Sequence, residues 1–521
     1  MHILTRIFDY PKWLALITGV LSATGFAPLG LWPATLVCLA LLIHLIAIAP
    51  NKKAAFGRGW LFGLGHFVLG LNWIATAFTF QAAMPVWLGY IAVVLLSLYL
   101  ALYPALAALA AWWIAKLIQG RNGVARANWV LVLAFAGMWI ITEWLRSWVF
   151  TGFSWNPLGA SLVTLPMTGF TKITGTYGLA GFVVLFSAAL VFLLQRNWKS
   201  SLSMLALLAA LNLAPFFWIT ETAPAKTPIT VVQPNIGQDV KWEEDNAAQN
   251  FAKLAQLTQS DSSKPRLIFW PEAAIPDFLE KGYPNRFYYP GSPEQSRARL
   301  RATMNTGDIM VLGALKLDVN AGGQIYGARN SVMAMDTDSE LISSYDKSHL
   351  VPYGEYLPMR PLLSLFGLSR LAPGDLDFTP GPGPRNIDLA SFGTAGIQVC
   401  YEIIFSGQVV DPDNRPDFIF NPSNDAWFGA WGPPQHLAQA QLRAVEEGLP
   451  VIRSTPTGIS AVVDANGRIR ESVPIGQAGR IDTALPAAHA PTLFARYGNI
   501  LPIVFAIILL ISAVAIGRHR R

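Results

Sequence analysis

The chain has 521 residues, of which 53% are hydrophobic and 13% charged, with 18 Trp and 29 Phe. A typical soluble protein is about 25% charged, so a disordered chain and an ordinary soluble enzyme are excluded, and two Cys as far apart as Cys38 and Cys400 exclude a disulfide framework or a Cys-rich zinc site. The net charge of +6 does not mark a nucleic-acid partner: up to Ile219 only Asp9 and Glu143 are acidic, and the basic residues stand in short clusters between apolar runs, as in a polytopic membrane protein.

A membrane span needs about 20 largely apolar residues. Hydropathy places about eight, near Trp13–Ala27, Leu31–Ala49, Trp60–Phe80, Val86–Ile118, Trp129–Trp148, Tyr177–Leu194, Leu202–Ile219 and Ile500–Ile516. The first is read as a retained helix, not a signal peptide, because further spans follow at once. Residues 1–220 are thus expected to form an N-terminal transmembrane domain of seven spans, 221–497 an extramembrane domain, and 498–521 a C-terminal transmembrane helix with a basic tail. Lys and Arg cluster before the first span (Arg6, Lys12) and after the second (Lys52, Lys53, Arg58), fourth (Arg121, Arg126), sixth (Arg196, Lys199) and eighth (Arg518, Arg520, Arg521). The alternate loops around Pro28 and Gln81 carry none. Positive charge stays inside, so both termini are expected in the cytoplasm and 221–497 on the far side of the membrane.

That large segment reads as α/β. Short β-branched runs bounded by turn residues predict strands at Ile229–Val232, Leu267–Trp270, Ile309–Leu312, Ser331–Met335, Gly396–Val399, Asp417–Asn421, Val451–Ser454 and Ser460–Val463. Helical patterns intervene at Asn246–Ser260, Ser292–Asn305 and His436–Gly448, the last with Gly448 as its stop signal. Strands alternating with helices predict a layered α/β domain.

Three polar residues end or follow apolar runs: Glu272 in LIFWPEAAIP, Lys347 in YDKSHLVPYGEYLP and Cys400 in GIQVCYEIIF. A rigid scaffold presents catalytic groups in this way. A thiolate is a nucleophile, a carboxylate can take its proton, and an ammonium can stabilise an oxyanion. Singly, each residue type is more often structural: a small buried hydrophobe for Cys, a solvated carboxylate or ammonium for the others.

The local sequences raise the odds. PEAAIP, DKSHLVPYGE and VCYE resemble the three signatures of the nitrilase superfamily, whose members use a Glu, a Lys and a Cys on an αββα sandwich. With NDAWFG at Asn424–Gly429 and spans on both sides of the domain, the whole chain is similar to the bacterial apolipoprotein N-acyltransferases. The resemblance implies a multi-pass protein of the bacterial inner membrane that carries out the last step of lipoprotein maturation. An acyl chain passes from a phospholipid to Cys400 as a thioester, and then to the N-terminal amine of a diacylated apolipoprotein. It implies no metal or cofactor. Glu272 would be the base and Lys347 the oxyanion stabiliser.

Matching positions add supporting residues. Glu355 resembles an extra Glu that orients the Lys. Tyr401 and Glu402 flank the nucleophile. Trp242 matches a required Trp, with packing against the membrane as its other reading. Asn421 and Asn424 stand either beside Cys400 or simply in a turn. Arg443 and Glu446 read as a structural pair at i,i+3. The apolar stretch Arg360–Leu371 reads as a lid or membrane-dipping arm, with Leu362, Leu363, Leu365 and Phe366 as its greasy face and Trp427 and Phe428 on the same surface; a short buried helix is the other reading. Glu143 and Arg146 are ionisable at membrane depth, hence functional candidates or an interfacial pair. A membrane-tethered amidohydrolase and a transporter stand as alternatives. The topology has a direct check: reporter fusions at the C-terminus and after Ile219 should give a cytoplasmic and a periplasmic signal respectively, and a cytoplasmic signal from the second would overturn the orientation.

Overall fold

A computed structural model describes residues 9–80, 85–120, 126–217, 226–241, 243–288, 291–363, 365 and 377–519. Helices stand at all eight expected span positions: Pro11–Ser22, Trp32–Ala47, Lys52–Gly70 followed by Ile74–Ala77, Trp87–Leu100 followed by Leu102–Gln119, Trp129–Arg146, Thr171–Leu194, Trp198–Leu213 and Ile500–His519. Among the described residues, five helical stretches are long and apolar enough to cross a membrane, or six if the third pair, bent by 49°, counts as one span. The first two helices, of 12 and 16 residues, are shorter than a span.

The third helix begins at Lys52 and not near Trp60. Asn51 caps it, its side chain accepting from the Ala54 amide at 2.9 Å, and Arg58 is buried with its guanidinium on the Leu45 carbonyl. The basic cluster therefore occupies the first turns of a helix, not a loop. Gly65 lets this helix approach the first: a Cβ there would lie 2.3 Å from the Leu16 carbonyl oxygen.

The second part is an αββα sandwich of two six-stranded sheets. The strands are β1 (Pro228–Gln233), β2 (Leu267–Phe269), β3 (Ile309–Val319), β4 (Ile325–Met335), β5 (Leu341–Asp346), β6 (Asn386–Asp388), β7 (Thr394–Ile397), β8 (Phe418–Pro422), β9 (Val451–Ser454), β10 (Ser460–Val463), β11 (Ile469–Val473) and β12 (Gly479–Ala484). Their orders are β12-β1-β2-β3-β4-β5 and β11-β10-β9-β8-β7-β6. The centres, β1-β2-β3 and β7-β8-β9, are parallel. Alternation along β2 builds both faces. Phe269 points inward, with its ring 4.8 Å from that of Phe420 on β8, while Ile268 joins the outer core with Leu254 and Leu300 of helices Glu244–Thr258 and Pro293–Arg301. A capping box at Ser292 starts the second of these. Helix Gly432–Glu447 covers the other sheet and ends at Gly448, which is left-handed at φ 66°.

The two parts meet where helix Thr171–Leu194 breaks at Gly175 (φ 64°, ψ 177°). The break exposes the amide of Thr176, and Glu446 of helix Gly432–Glu447 takes it. Glu446 Oε1 accepts from the Thr176 amide and hydroxyl, each at 2.6 Å, and from the Ser406 hydroxyl at 2.8 Å. Arg443 balances the charge at 2.9 Å. A carboxylate at a helix start is favourable in itself, and this one joins the sandwich to the membrane helices. Glu446→Ala would strand Arg443 in a buried site, at a cost of about 3–5 kcal/mol. Unfolding in detergent should show that loss, and a change below about 1 kcal/mol would mean that the junction is held elsewhere.

Candidate active site

Glu272 lies where β2 parts from β3. The ladder bridges over it: Gly313 donates its amide to the Pro271 carbonyl at 3.2 Å and accepts from the Ala274 amide at 2.8 Å. Glu272 and Ala273 bulge between these bonds, and Ala273 takes φ +45°. Only glycine fits at 313, because a Cβ would stand 2.4 Å from the Ala273 nitrogen. The buried carboxylate of Glu272 accepts from Asn330 Nδ2 at 2.7 Å and from the Asn424 amide at 2.6 Å.

Lys347 follows β5 directly. Its amide bonds the Asn330 carbonyl of β4 at 2.8 Å, which fixes its register. Its ammonium is 2.9 Å from each oxygen of Glu355, and Asn330 Nδ2 reaches the same Glu355 at 3.1 Å. Asn330 thus spans the two carboxylates. Burial alone would lower the Lys347 ammonium, but Glu355, Glu272 and Cys400 together hold it above its ordinary value.

Cys400 begins a 3-10 turn, Cys400–Ile404, just beyond β7. Its φ of +51° is rare for a non-glycine residue and turns the backbone sharply between sheet and helix. Burial and then the Glu272 carboxylate push the thiol up, while Lys347 and a hydrogen bond with Ser423 pull it down. Behind it, His436 Nε2 lies 3.0 Å from the Cys400 carbonyl. Burial and then Arg453 lower that imidazole to about 4, so it is neutral and donates from Nε2. Arg453 and Asp425 pair at 2.6 Å beside it.

Glu402 accepts five hydrogen bonds: from the Tyr345 hydroxyl at 2.8 Å, the Ser348 amide and hydroxyl at 2.8 and 2.9 Å, the His349 amide at 3.0 Å and the Val399 amide at 2.7 Å. It ties the loop after Lys347 to the residue before Cys400. Tyr401 points the other way, donating its hydroxyl to the Gly152 carbonyl at 3.1 Å, in the loop after helix Trp129–Arg146. Asn421 Nδ2 holds the Gln398 carbonyl at 2.5 Å, and Asn424 Nδ2 bonds Gln238 Oε1 at 2.8 Å. Both therefore stand beside the site.

The other candidates fall elsewhere. Phe428 is buried, not exposed: its ring packs 4.7 Å from that of Trp73 and 5.4 Å from that of Trp155. An aromatic cluster between sandwich and membrane helices absorbs it. Trp427 is half-buried against Phe80, at 5.4 Å. Leu365 is 79% exposed. The backbone of Leu362 and Leu363 ends the short helix Arg360–Leu363, whereas Trp242 and, of the expected arm, residues 364 and 366–371 with Phe366 lie outside the described residues. Glu143 and Arg146 are buried 3.8 Å apart and brace the next loop, Glu143 on the Leu158 amide at 2.8 Å and Arg146 on the Trp155 carbonyl at 2.8 Å. Sequence reasoning missed Asn330, Gln238, Lys241, His436, Asp425 and Arg453. A charged residue after a short apolar run, as at Arg453 in VIRS of β9, was the available signal.

Both parts of the chain resemble known proteins. The family model for the apolipoprotein N-acyltransferase N-terminal domain matches residues 18–190, and that for carbon-nitrogen hydrolase matches residues 228–486. The apolipoprotein N-acyltransferase of Rhodopseudomonas palustris is 32% identical over 97% of this chain and 95% of its own, and that of Caulobacter vibrioides 34% identical over 97% and 94%. Among solved structures, Saccharomyces cerevisiae Nit3, a member of the nitrilase superfamily, is 20% identical over 51% of this chain and 92% of its own, with a TM-score of 0.36. With near-full-length identity at this level, a matching membrane region and a matching sandwich, the chain belongs to the apolipoprotein N-acyltransferase family.

Proposed function

We propose that this protein moves an acyl chain from a membrane phospholipid to Cys400, and from there to the N-terminal amine of a diacylglyceryl-cysteine apolipoprotein. The observation that carries the reading is that Glu272, Lys347 and Cys400, three buried groups at separate strand ends, lie within reach of one another's charge, beside a turn that Tyr401 docks onto a loop of the membrane helices. A buried thiol fixed against a membrane domain suits a donor that stays in lipid.

In the first half-reaction the thiol attacks the ester carbonyl while Glu272 takes its proton. The Lys347 ammonium, with a main-chain amide near Tyr401, stabilises the tetrahedral oxyanion. The intermediate collapses, the glycerol oxygen leaves with the proton from Glu272, and lysophospholipid departs. In the second, the free amine attacks the thioester, Glu272 takes its proton, and the thiol is restored. Glu355 holds Lys347 in place, while Glu402 and Tyr401 hold the turn. The sandwich, residues 221–497, faces the periplasm of the inner membrane with both termini in the cytoplasm, where the acceptor's lipidated end meets it. Arg360–Leu371 is the gate through which lysophospholipid and lipoprotein exchange.

Labelled phospholipid should leave its acyl chain on Cys400 in the absence of acceptor. Cys400→Ala should abolish that label while the protein still inserts, and Cys38→Ser should leave it; label that survives Cys400→Ala would sink the mechanism. Glu272→Gln and Lys347→Ala should suppress thioester formation itself, by about 10²–10⁴-fold for the base. Replacing Leu365 and Phe366 with Ser should instead leave slow thioester formation and strongly reduce transfer to the amine. Equal loss of thioester in the lid and Glu272 variants would make the lid part of the active-site wall.

A further inference from the structure

Lys241 is buried, at 7% exposure, in the connection that leads from β1 into helix Glu244–Thr258. Its ammonium donates to the main-chain carbonyl of Glu272 at 2.9 Å. That carbonyl belongs to the residue that bulges out of the β2–β3 ladder. The ladder bonds on either side go to Gly313. The next residue, Ala273, is already in the left-handed region. Beyond Lys241 a cavity of about 220 Å³ opens, lined also by Asn250, Phe251, Pro271, Ala274 and Asp277. The side chain therefore stands between this cavity and the Glu272 turn.

We propose that Lys241 is a positioning residue of the active site: its ammonium clamps the Glu272 bulge so that the carboxylate faces Cys400, and its charge favours the thiolate as it forms. The role rests on the reading of Glu272 as the base of Cys400, but not on the identity of the acyl donor or acceptor. Two observations beside the hydrogen bond support it. The Glu272 carboxylate, and Cys400 once its thiolate forms, favour the Lys241 charge against burial, so the same attraction acts back on the forming thiolate. And Lys347 is committed to Glu355 through both carboxylate oxygens, so a second cation has its own part beside the forming thiolate. Asp277 and Arg299, the other charged groups on the cavity wall, pair with each other.

Burial lowers the Lys241 ammonium to about 8, with Glu272 and Cys400 opposing. The sign follows. Below pH 8 Lys241 is charged and its help is fully present; above pH 8 it loses its proton and the electrostatic part of that help fades, while an Arg at 241 keeps its charge throughout.

The test is the rate at which iodoacetamide alkylates Cys400 in the intact protein carrying Cys38→Ser, measured from pH 6.5 to 9.5 (about 1.5 units on either side of the Lys241 value). No lipid donor is needed, so the result stands apart from whether phospholipid supplies the acyl chain. Lys241→Met should slow alkylation by about 10²-fold below pH 8, the scale of a misplaced catalytic group, and the deficit should shrink above pH 8. Lys241→Arg should stay within about threefold of the parent at low pH, a difference below 1 kcal/mol, and should exceed it above pH 8. Glu272→Gln combined with Lys241→Met should add little to Glu272→Gln alone. Equal alkylation in Lys241→Met and the parent would overturn the proposal. So would a deficit independent of pH and shared by Lys241→Arg, or a deficit that only tracks loss of folded protein in both variants, since each assigns Lys241 to packing alone.

Discussion

The carboxylate of Glu402 is the point on which the site hangs. It accepts from both sides of the cleft at once, from Tyr345, Ser348 and His349 on the Lys347 side and from Val399 on the Cys400 side. These loops come from different sheets, β5 of one and β7 of the other. Sheet packing alone sets their separation only loosely, since side chains between sheets can repack by fractions of an ångström. A buried anion with five donors cannot shift without losing several of them, and each such loss leaves a desolvated polar group that costs about 1–3 kcal/mol. Burial pushes this carboxyl up, and the His349 amide, the Lys347 charge and the Val399 amide oppose that push. The strained turn at Cys400 is tolerated because it is over-determined, held in front by Glu402, behind by His436 and alongside by Asn421 through Gln398.

The membrane helices take part in this determination. The loop after helix Trp129–Arg146 carries Phe150, Thr151 and Gly152, all with positive φ, and Gly152 accepts from Tyr401. Further along, Trp155 donates to Gln435 at 2.8 Å and lies against the ring of His436 at 5.1 Å. His436 in turn holds the Cys400 carbonyl. A chain of two contacts, Trp155 to His436 and His436 to the Cys400 carbonyl, thus runs from the membrane helices to the backbone of Cys400. Glu143 and Arg146 belong to it at one remove, since they brace the loop that delivers Trp155. Ionisable groups at membrane depth are costly to bury, and here the pair shapes a loop.

The parts of the fold that could be read from the sequence share one physical property. Central strands of a sandwich flanked by helices are buried on both faces and read as continuous apolar runs; β1, β2, β8, β9 and β10 fall within a residue or two of their expected bounds. The strands that were missed are β5, β6, β11 and β12, and these are the four sheet edges. Their side chains alternate or face water throughout, as in LISSYD of β5 and IRESV of β11, so no run of apolar residues marks them. The same logic divides the site. Glu272 and Cys400 stand out because each follows an apolar run, and Lys347 stands out only by its local motif, DKSHLVPYGE. Asn330, Gln238 and Lys241 come to Glu272 only through pairing of distant segments, and nothing local distinguishes them from surface polar residues. Phe428 went astray for the converse reason: an apolar side chain in a loop reads as exposed until the second part that covers it, here Trp73 and Trp155, is in place.

The charge state of the resting thiol follows from which effect wins at Cys400. A cation nearby ordinarily favours the thiolate, yet Lys347 is held between both oxygens of Glu355, which spends much of its field. Burial and the Glu272 carboxylate then dominate, and the thiol is pushed up from its ordinary value. A standing thiolate would be costly in so dry a place, as an unpaired buried charge always is. On the proposed reaction the thiolate never has to stand: the proton moves to Glu272 as the sulfur bonds to the acyl carbon, and the product is a neutral thioester. Of the sulfur's possible states, neutral thioester and neutral thiol suit a desolvated pocket and the free anion does not. Desolvation therefore penalises only the short-lived charge, which the ammonium groups are placed to share, and leaves both resting states of the two-step cycle uncharged at sulfur.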